Sequence, residues 1–230
     1  MTQSFTGKSV LITGGTGALG SAVAATLLQA GAICHVTWRS DKELSHFDLA
    51  DKVQLHQLDA QSEDAVVKLY ASLPDLWGSI HTIGGFAMAP VEKTSADDFN
   101  RMFQGNTLTT FLCCREAIKV MRQGGKGGRI VNVAARPAVV PTAGMTAYST
   151  SKAAVASLTQ SLAEEVKNDD ILVNAVLPSV MDTPVNRKAI PNADFSKWPK
   201  VEEVAQAIRF LASTENALMT GALVPVYGKA

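Results

Sequence analysis

The sequence predicts a single α/β domain over residues 1–230, built on a doubly wound parallel sheet with helices on both faces. Three observations support this fold class. Short apolar runs alternate with helical repeats along the chain, the first apolar run stops at a glycine-rich turn, and no linker or internal repeat divides the sequence. A hydrophobic fraction of 47% in 230 residues is also enough to form a sizeable core.

The first third of the chain predicts a βαβ unit around a glycine turn. Apolar residues 9–13 indicate a buried strand, residues 18–29 a helix and residues 33–38 a second strand. The turn contains Gly15-x-Gly17-x-x-Gly20, the spacing of a dinucleotide site, and such turns let the backbone approach a pyrophosphate. Small residues also serve tight packing, but the strand before and the helix after favour nucleotide binding. The residues predicted to contact the nucleotide are Gly14, Thr16, Gly17, Ala18, Leu19 and Gly20.

The residues after the second strand bear on which cofactor binds. NAD sites usually place an acid here for the ribose hydroxyls, whereas NADP sites place an arginine for the 2′-phosphate. Arg39 and Ser40 occupy this position and predict NADP(H), with NAD(H) less favoured. Arg39 is alternatively a plain surface arginine, and the nearby Asp41 is the one acid that weakens the assignment.

The remaining periodicities continue the alternation of strands and helices. Ser62 precedes a helical repeat as a candidate N-cap, and the helical region near Gly105 is expected to break there. Predicted strands cover residues 53–58, 80–83, 129–134, 171–177 and 222–226. Predicted helices cover residues 62–73, 96–122, 147–166 and 201–211, with a loop at 137–144.

Two further stretches are candidates for ligand contact. Gly84 and Gly85 follow the fourth strand, where glycines indicate either close approach of the backbone to a ligand or a plain turn. Residues 182–200 are rich in proline and polar side chains, and we predict that this lid segment is mobile and covers a substrate. Asn106, in the central helical region, is either a cap or a site residue.

The pair Tyr148 and Lys152 lies in the helix predicted for residues 147–166. Residues four apart share one helix face, so both side chains can point at one substrate. An ammonium group stabilises a phenolate, which makes a tyrosine a better proton donor and acceptor. A tyrosine and a lysine at this spacing also occur on solvated helices, so the pair gains its meaning from its surroundings.

Composition excludes several other classes of function. Lys plus Arg and Asp plus Glu both number 21, which argues against nucleic acid or a membrane surface as partner. No apolar run is long enough to span a bilayer, and no secretion signal is visible at the N-terminus. The three cysteines have no metal or disulfide spacing, so we expect no metal site and a reduced, cytoplasmic setting.

Taken together, these motifs resemble the short-chain dehydrogenase/reductase family over nearly the full length of the chain. The matching residues are Thr13-Gly14-x-x-x-Ala18-x-Gly20, Asp59, Asn106, Tyr148-x-x-x-Lys152 and Pro178-x-x-x-x-Thr183. The resemblance implies a Rossmann-type fold, an NAD(P)-dependent oxidoreductase acting on a small molecule, and assembly as a homodimer or homotetramer.

The resemblance also implies roles for individual residues. Tyr148 would donate or accept the proton, Lys152 would bind the nicotinamide ribose and lower the pKa of Tyr148, and Asn106 would hold a water of a proton relay. The further residues expected along the cofactor are Asp59, Ala60, Ile83, Gly84, Gly85, Pro178, Val180 and Thr183.

Departures from the family pattern concern the substrate. The serine expected thirteen residues before the tyrosine is Ala135, and an alanine cannot donate a hydrogen bond to a substrate oxygen. Either another hydroxyl substitutes, with Thr142 and Thr146 as candidates, or the reaction does not need the serine. The dihydropteridine reductases, which the lid segment resembles, also lack it and reduce an electron-poor quinonoid ring. The turn Thr82-Ile83-Gly84-Gly85 and the pair Pro178-Ser179 are the other departures.

Three functions are therefore weighed. The first is an NADP(H)-dependent reductase of a quinonoid pterin or a similarly activated C=N or C=O compound. The second is a 3-oxoacyl thioester or general carbonyl reductase. The third, of a different class, is an NADP-binding sensor that has lost catalysis.

Overall fold

The computed structural model describes residues 4–229, which form one seven-stranded sheet with the strand order β3-β2-β1-β4-β5-β6-β7. Every neighbouring pair of strands is parallel. The strands are β1 (Ser9–Thr13), β2 (Ile33–Trp38), β3 (Gln54–Gln57), β4 (Leu76–His81), β5 (Gly128–Val133), β6 (Ile171–Pro178) and β7 (Leu223–Val226). The helices are α1 (Ala18–Gln29), α2 (Asp41–Leu44), α3 (Glu63–Ala71), α4 (Ala96–Met102), α5 (Thr109–Gly124), α6 (Thr146–Glu165), α7 (Pro184–Ala189) and α8 (Val201–Ala212).

Apolar side chains fill both faces of the sheet, as a doubly wound fold requires. On one face, Val23 of α1 and Ile208 of α8 pack in a cluster with Ile12 and Val36 of the strands. On the other face, helices α3, α5 and α6 cover Leu11 and the neighbouring strand residues. The predicted fold class is therefore confirmed.

The strand order reverses beside β1, which has β2 on one side and β4 on the other. In such sheets, the loops beyond the carboxyl ends of the two strands separate and leave a crevice for a ligand. Two hydrogen bonds from Thr82 join the loops after β1 and β4 at the floor of this crevice. The backbone N–H of Thr82 donates to Thr13 O at 3.0 Å, and the Thr82 hydroxyl donates to Gly14 O at 3.1 Å. This topology fixes where a site can form.

The fourth strand differs from its prediction. It spans Leu76–His81 rather than residues 80–83, and Ile83 lies in the loop after it. Apolar periodicity missed its first half because Gly78 and Ser79 interrupt the pattern. A Cβ atom at Gly78 would lie 3.1 Å from a methyl group of Val10, so a larger residue there would need Val10 to shift slightly.

The sequence predicted a break in the helical region near Gly105, and the structure shows none. Instead, residues Phe103–Leu108 form a π-helical turn between α4 and α5. The extra residue in such a turn locally changes which side chains face inward, and π-turns often occur at functional sites. Here it turns the side chain of Asn106 fully into the interior.

Smaller differences occur in the loops. Residues Arg136–Ala138, in the region predicted as a loop, form one helical turn, and the short helix α2 has no counterpart among the predicted elements. Ser62 caps α3 as predicted, because its hydroxyl accepts a hydrogen bond from the backbone N–H of Ala65 at 3.4 Å. Within residues 4–229, none of the helices combines the length and apolarity needed to cross a membrane.

Candidate active site

A cleft of about 540 Å³ opens at the carboxyl edge of the sheet, above the glycine turn. The turn is held in place because the Gly14 N–H donates to Thr37 Oγ1 at 2.9 Å and the Gly17 N–H donates to Gly14 O at 3.1 Å. Gly14 has a φ of +71°, which favours glycine. The predicted residues that line the cleft are Gly14, Thr16, Gly17, Arg39, Asp59, Ala60, Ile83, Gly84 and Gly85.

Three predicted residues of the turn take other positions. Ala18 is exposed at the start of α1, and Leu19 packs in the core. Gly20 lets α1 pack onto the turn, because a Cβ atom there would lie 2.3 Å from Gly14 O. These residues shape the turn, and none of them lines the cleft.

One end of the cleft lies between the turn and the loop after β2. Arg39 is here, with 73% of its side chain exposed. Ser40 lies outside the cleft lining, and its hydroxyl donates to Glu43 Oε1 at 3.4 Å. On the opposite wall, Asp59 Oδ1 accepts from the Gln61 N–H at 3.1 Å.

At the other end of the cleft, Asn106 anchors the loop after β4. Its Oδ1 accepts from the Gly85 N–H at 2.8 Å, and its Nδ2 donates to Gly85 O at 3.2 Å and to Ser151 Oγ at 3.0 Å. Ser151 in turn donates to Tyr148 O at 2.7 Å. The amide of Asn106 therefore ties the cleft wall to the first turns of α6.

The ammonium group of Lys152 lies directly beneath Gly84, in the loop after β4 that we call the glycine loop. A Cβ atom at Gly84 would be 3.1 Å from Lys152 Nζ, and Nζ donates to Val133 O at 2.8 Å. Burial lowers the pKa of Lys152 to about 8. The lysine therefore stays mainly cationic at neutral pH and retains two N–H donors beyond the bond to Val133.

Tyr148 stands at the beginning of α6, with its ring packed against the ring of Phe86. Burial raises the pKa of Tyr148 to about 12. The expected lowering of this pKa by Lys152 is therefore not found within the protein alone, where desolvation of the phenol dominates.

A buried polar chain fixes α6 against the sheet. Asn132 of β5 donates to Thr159 Oγ1 of α6 at 2.9 Å and contacts His81 Nδ1 through Oδ1 at 2.8 Å. His81 Nε2 lies 2.8 Å from Ser79 Oγ, which lies 2.8 Å from the hydroxyl of Tyr70. Because buried polar groups need partners, this chain allows essentially one position for α6.

Ala135 follows β5 and is only 5% exposed. Neither threonine proposed to replace the missing serine lies in the cleft lining. Thr142 is exposed, and its hydroxyl donates to Val140 O at 3.4 Å. Thr146 is exposed at the first position of α6.

The lid segment is structured by its own contacts. Thr183 Oγ1 caps α7 by accepting from the Asn186 N–H at 3.2 Å, and Arg187 makes two bonds to Asp182 at 2.6 and 2.8 Å. Thr183 and the preceding Pro178 and Val180 do not line the cleft around the glycine turn. Lid residues instead line a separate depression of about 370 Å³ with Gly228.

Several cleft residues were not anticipated from the sequence. The two with the clearest functional potential are the carboxylate Glu43 and the aromatic Phe86. The spacing of Glu43 four residues after Arg39 was the one sequence signal that could have identified either residue. The others are Thr37, Trp38, Leu58, Gln61, Thr82, Arg101, Met102, Gly105 and Thr109.

The shape of the cleft fits an extended dinucleotide. It runs from Arg39 and Asp59 across the glycine turn to Gly84, where an added Cβ atom would meet both Asn106 Oδ1 at 2.8 Å and Lys152 Nζ. A side chain at Gly84 would therefore have to displace Asn106 or Lys152, which pack beneath this end of the cleft. Across residues 4–229, no group of three or more His, Cys, Asp or Glu side chains is arranged to hold a metal ion.

Comparison with known proteins agrees with this geometry. The family model described as short chain dehydrogenase matches residues 8–194. The chain belongs to the short-chain dehydrogenase family. It is accordingly an oxidoreductase, and the family membership predicted from its motifs is confirmed.

Similar proteins cover nearly the whole chain. The uncharacterized oxidoreductase YgfF of Escherichia coli is 30% identical over 95% of this chain and 98% of its own length. The 3-oxoacyl-[acyl-carrier-protein] reductase FabG of Rickettsia typhi is 30% identical, covering 97% of both chains. A solved structure of ElxO with NADP bound has a TM-score of 0.87 at 28% identity, covering 96% of this chain and 97% of its own. The predicted cofactor, NADP(H), agrees with that structure.

Proposed function

We propose that this dehydrogenase is an NADP(H)-dependent reductase of a planar, already activated C=N or C=O substrate, of which a quinonoid dihydropterin is the model compound. The observation that carries this proposal is the contact of Tyr148 with an exposed aromatic ring, Phe86. Ala135, which stands where the family pattern expects a serine, has no hydrogen-bond donor in its side chain. A flat ring can stack on Phe86, and an electron-poor substrate needs less polarisation than a simple ketone.

Bound NADPH would supply the hydride for this reaction. Arg39 would hold the 2′-phosphate, the glycine turn would hold the pyrophosphate, and Lys152 would donate to the nicotinamide ribose. Tyr148 would give a proton to the substrate, and the cationic Lys152 would favour the phenolate that remains. Asn106 would act by positioning Gly85 and, through Ser151, the start of α6.

The lid segment is proposed to close over the substrate, and the protein is proposed to assemble as a homodimer or homotetramer. Apolar side chains along α4, the π-helical turn and α5 support assembly, since Phe99, Leu108 and Phe111 are each more than a third exposed. Size-exclusion chromatography with light scattering tests the oligomeric state. No nucleic acid or membrane partner is proposed.

A second candidate is reduction of 3-oxoacyl thioesters. It is favoured by the similarity to FabG of Rickettsia typhi over almost the entire chain. The absence of a donor at Ala135 counts against it, because loss of one such donor costs about a hundredfold or more in rate.

One assay separates the candidates. NADPH oxidation would be followed with quinonoid dihydropterin, with a 3-oxoacyl thioester and with a panel of simple ketones at equal concentration. We expect kcat/KM to be highest for the quinonoid compound. Preference for the thioester would support the second candidate, and tight NADPH binding without turnover of any compound would leave the sensor function.

A further inference from the structure

The carboxylate of Glu43 joins the two walls of the cleft at the end where the second strand finishes. Its Oε2 accepts from the hydroxyl of Thr16 at 3.1 Å and from the backbone N–H of Arg39 at 3.0 Å. Thr16 belongs to the glycine turn and Arg39 follows β2, and all three residues line the cleft. Ser40 adds a third donor to the other carboxylate oxygen.

This donor set has the composition of an anion site. It comprises two hydroxyls, one backbone N–H and the guanidinium of Arg39, whose Nε lies 4.0 Å from Glu43 Oε1. The chain's own carboxylate currently takes these donors. A phosphate monoester carries a charge of about −1.5 to −2 at neutral pH and would need the same donors. Glu43 would therefore both repel it and compete with it.

We propose that Glu43 is a cofactor-selectivity residue that limits the preference for NADP(H) and keeps the cleft open to NAD(H). This inference rests on the proposed function, in which the cleft binds a nicotinamide dinucleotide. The 2′-phosphate has to displace the Glu43 carboxylate from Thr16 and Ser40 before Arg39 can hold it there. An unphosphorylated ribose leaves those hydrogen bonds in place.

Two features distinguish Glu43 from an ordinary surface acid. Its side chain is 35% exposed, whereas that of Arg39 is 73% exposed, so the acid and not the base is the more enclosed member of the pair. The neighbouring acid Asp41 is on the same short helix, but it is exposed and does not line the cleft. Asp41→Asn is therefore a matched control that changes net charge equally.

The test measures dissociation constants by titration calorimetry for wild type, Glu43→Gln and Asp41→Asn. The ligands are NADP⁺ and NAD⁺, together with 2′,5′-ADP and 5′-AMP, which report on the adenosine end alone. We expect Glu43→Gln to tighten binding of NADP⁺ and 2′,5′-ADP by about tenfold, because the like charge is removed and the neutral amide oxygen competes less strongly for the donors. Binding of NAD⁺ and 5′-AMP should change by less than about twofold, and Asp41→Asn should change none of the four by more than that.

The outcomes separate the two levels of inference. If the wild type binds NADP⁺ and Glu43→Gln leaves the ratio of the NADP⁺ and NAD⁺ dissociation constants unchanged, the role of Glu43 is overturned and the proposed function is not. An equal gain in Asp41→Asn also overturns that role, since net charge then explains the effect. Wild type that binds neither dinucleotide overturns the proposed function together with the role of Glu43. An unchanged melting temperature in the variant shows that its fold is intact.

Discussion

The rings of Phe86 and Tyr148 stand nearly perpendicular, at 74°, with their centroids 5.0 Å apart. This edge-to-face geometry is a favourable one for aromatic pairs. Phe86 nevertheless remains 61% exposed, so most of its surface is available to a third group. We expect a flat substrate to contact this exposed surface of Phe86 next to Tyr148.

Replacing Phe86 by leucine should lower kcat/KM for planar substrates by about two- to tenfold, because an aromatic contact contributes roughly 0.5–1.5 kcal/mol. Small aliphatic ketones, which gain little from stacking, should lose less than about twofold. Phe99→Leu is the control, since Phe99 stacks on Phe103 outside the cleft lining. An equal loss for all substrates would contradict a stacking role.

Tyr148→Phe should reduce kcat by about a hundredfold or more, the usual contribution of a positioned acid–base group. The ring and its contact with Phe86 are kept, so the dissociation constant of NADPH should change by less than about twofold. Tyr227→Phe removes a hydroxyl from a tyrosine that stacks with Arg136 and serves as the control. Unchanged turnover by Tyr148→Phe would refute the proposed proton transfer.

Ala135→Ser restores the donor that the family pattern expects. Turnover of simple ketones should rise by about tenfold or more, because a donor aimed at the developing oxyanion stabilises the transition state. Ala134→Ser is the matched control, because Ala134 is also buried, at 2% exposed, and directly precedes Ala135. A lack of any gain with Ala135→Ser would mean that the cleft is not built for carbonyl polarisation.

Gly84→Ala tests the close packing beneath the glycine loop. The added Cβ atom would lie 2.8 Å from Asn106 Oδ1 and 3.1 Å from Lys152 Nζ, so these groups must move. We expect a loss of about 1–3 kcal/mol in the free energy of unfolding, together with weaker NADPH binding. Gly124→Ala is the control, since its nearest atom would be an ordinary contact at 3.7 Å. Equal stability of the two variants in urea would contradict this close packing.

The buried histidine of β4 predicts acid sensitivity. Burial lowers the pKa of His81 to about 4, below its ordinary value of 6.5. Between pH 4 and 6.5, His81 is therefore protonated in the unfolded chain and neutral in the folded chain. Its contribution to the free energy of unfolding is fully present above pH 6.5 and is lost as the pH falls toward 4. The loss from His81 is roughly 3 kcal/mol.

Urea unfolding at a series of pH values measures this effect. The His35–His56 pair adds to it, because burial and the neighbouring imidazole lower the pKa of His35 to about 4 as well. His46→Gln alters an exposed histidine and should leave the pH profile unchanged. A free energy of unfolding that stays constant from pH 7 to 5 would contradict burial of neutral imidazoles.

Periodicity and turn residues were enough to predict the sheet and its helices. β1, α1 and β2 have the predicted bounds because apolar side chains and glycines mark both ends of each. β4 was misplaced because Gly78 and Ser79 interrupt its apolar pattern, although all six of its residues are buried. The π-turn at Phe103–Leu108 was missed because its buried Asn106 makes hydrogen bonds to Gly85 and Ser151, which are distant in the sequence.

The site was predictable where one short motif carries both residue type and spacing. Tyr148 and Lys152 share α6, and the glycine turn lies between β1 and α1. Glu43 and Phe86 acquire their positions only when separate loops meet, so the spacing of Glu43 after Arg39 was the one signal available for either residue. The direction of the Tyr148 pKa shift also depends on burial, which residue spacing does not report.

The lid segment leaves the fold and returns to it at nearly the same point. Asp182 pairs with Lys200 in a short parallel bridge, and the Asp182 N–H donates to Pro199 O at 2.9 Å. The residues between them therefore form a loop that begins and ends at one place, and Lys197 O of this loop accepts from the Lys229 N–H, after β7, at 2.9 Å. An exchange of residues 183–199 for the equivalent stretch of a relative should keep the fold and transfer substrate preference. The substrate range of such a protein can therefore change while its sheet stays the same.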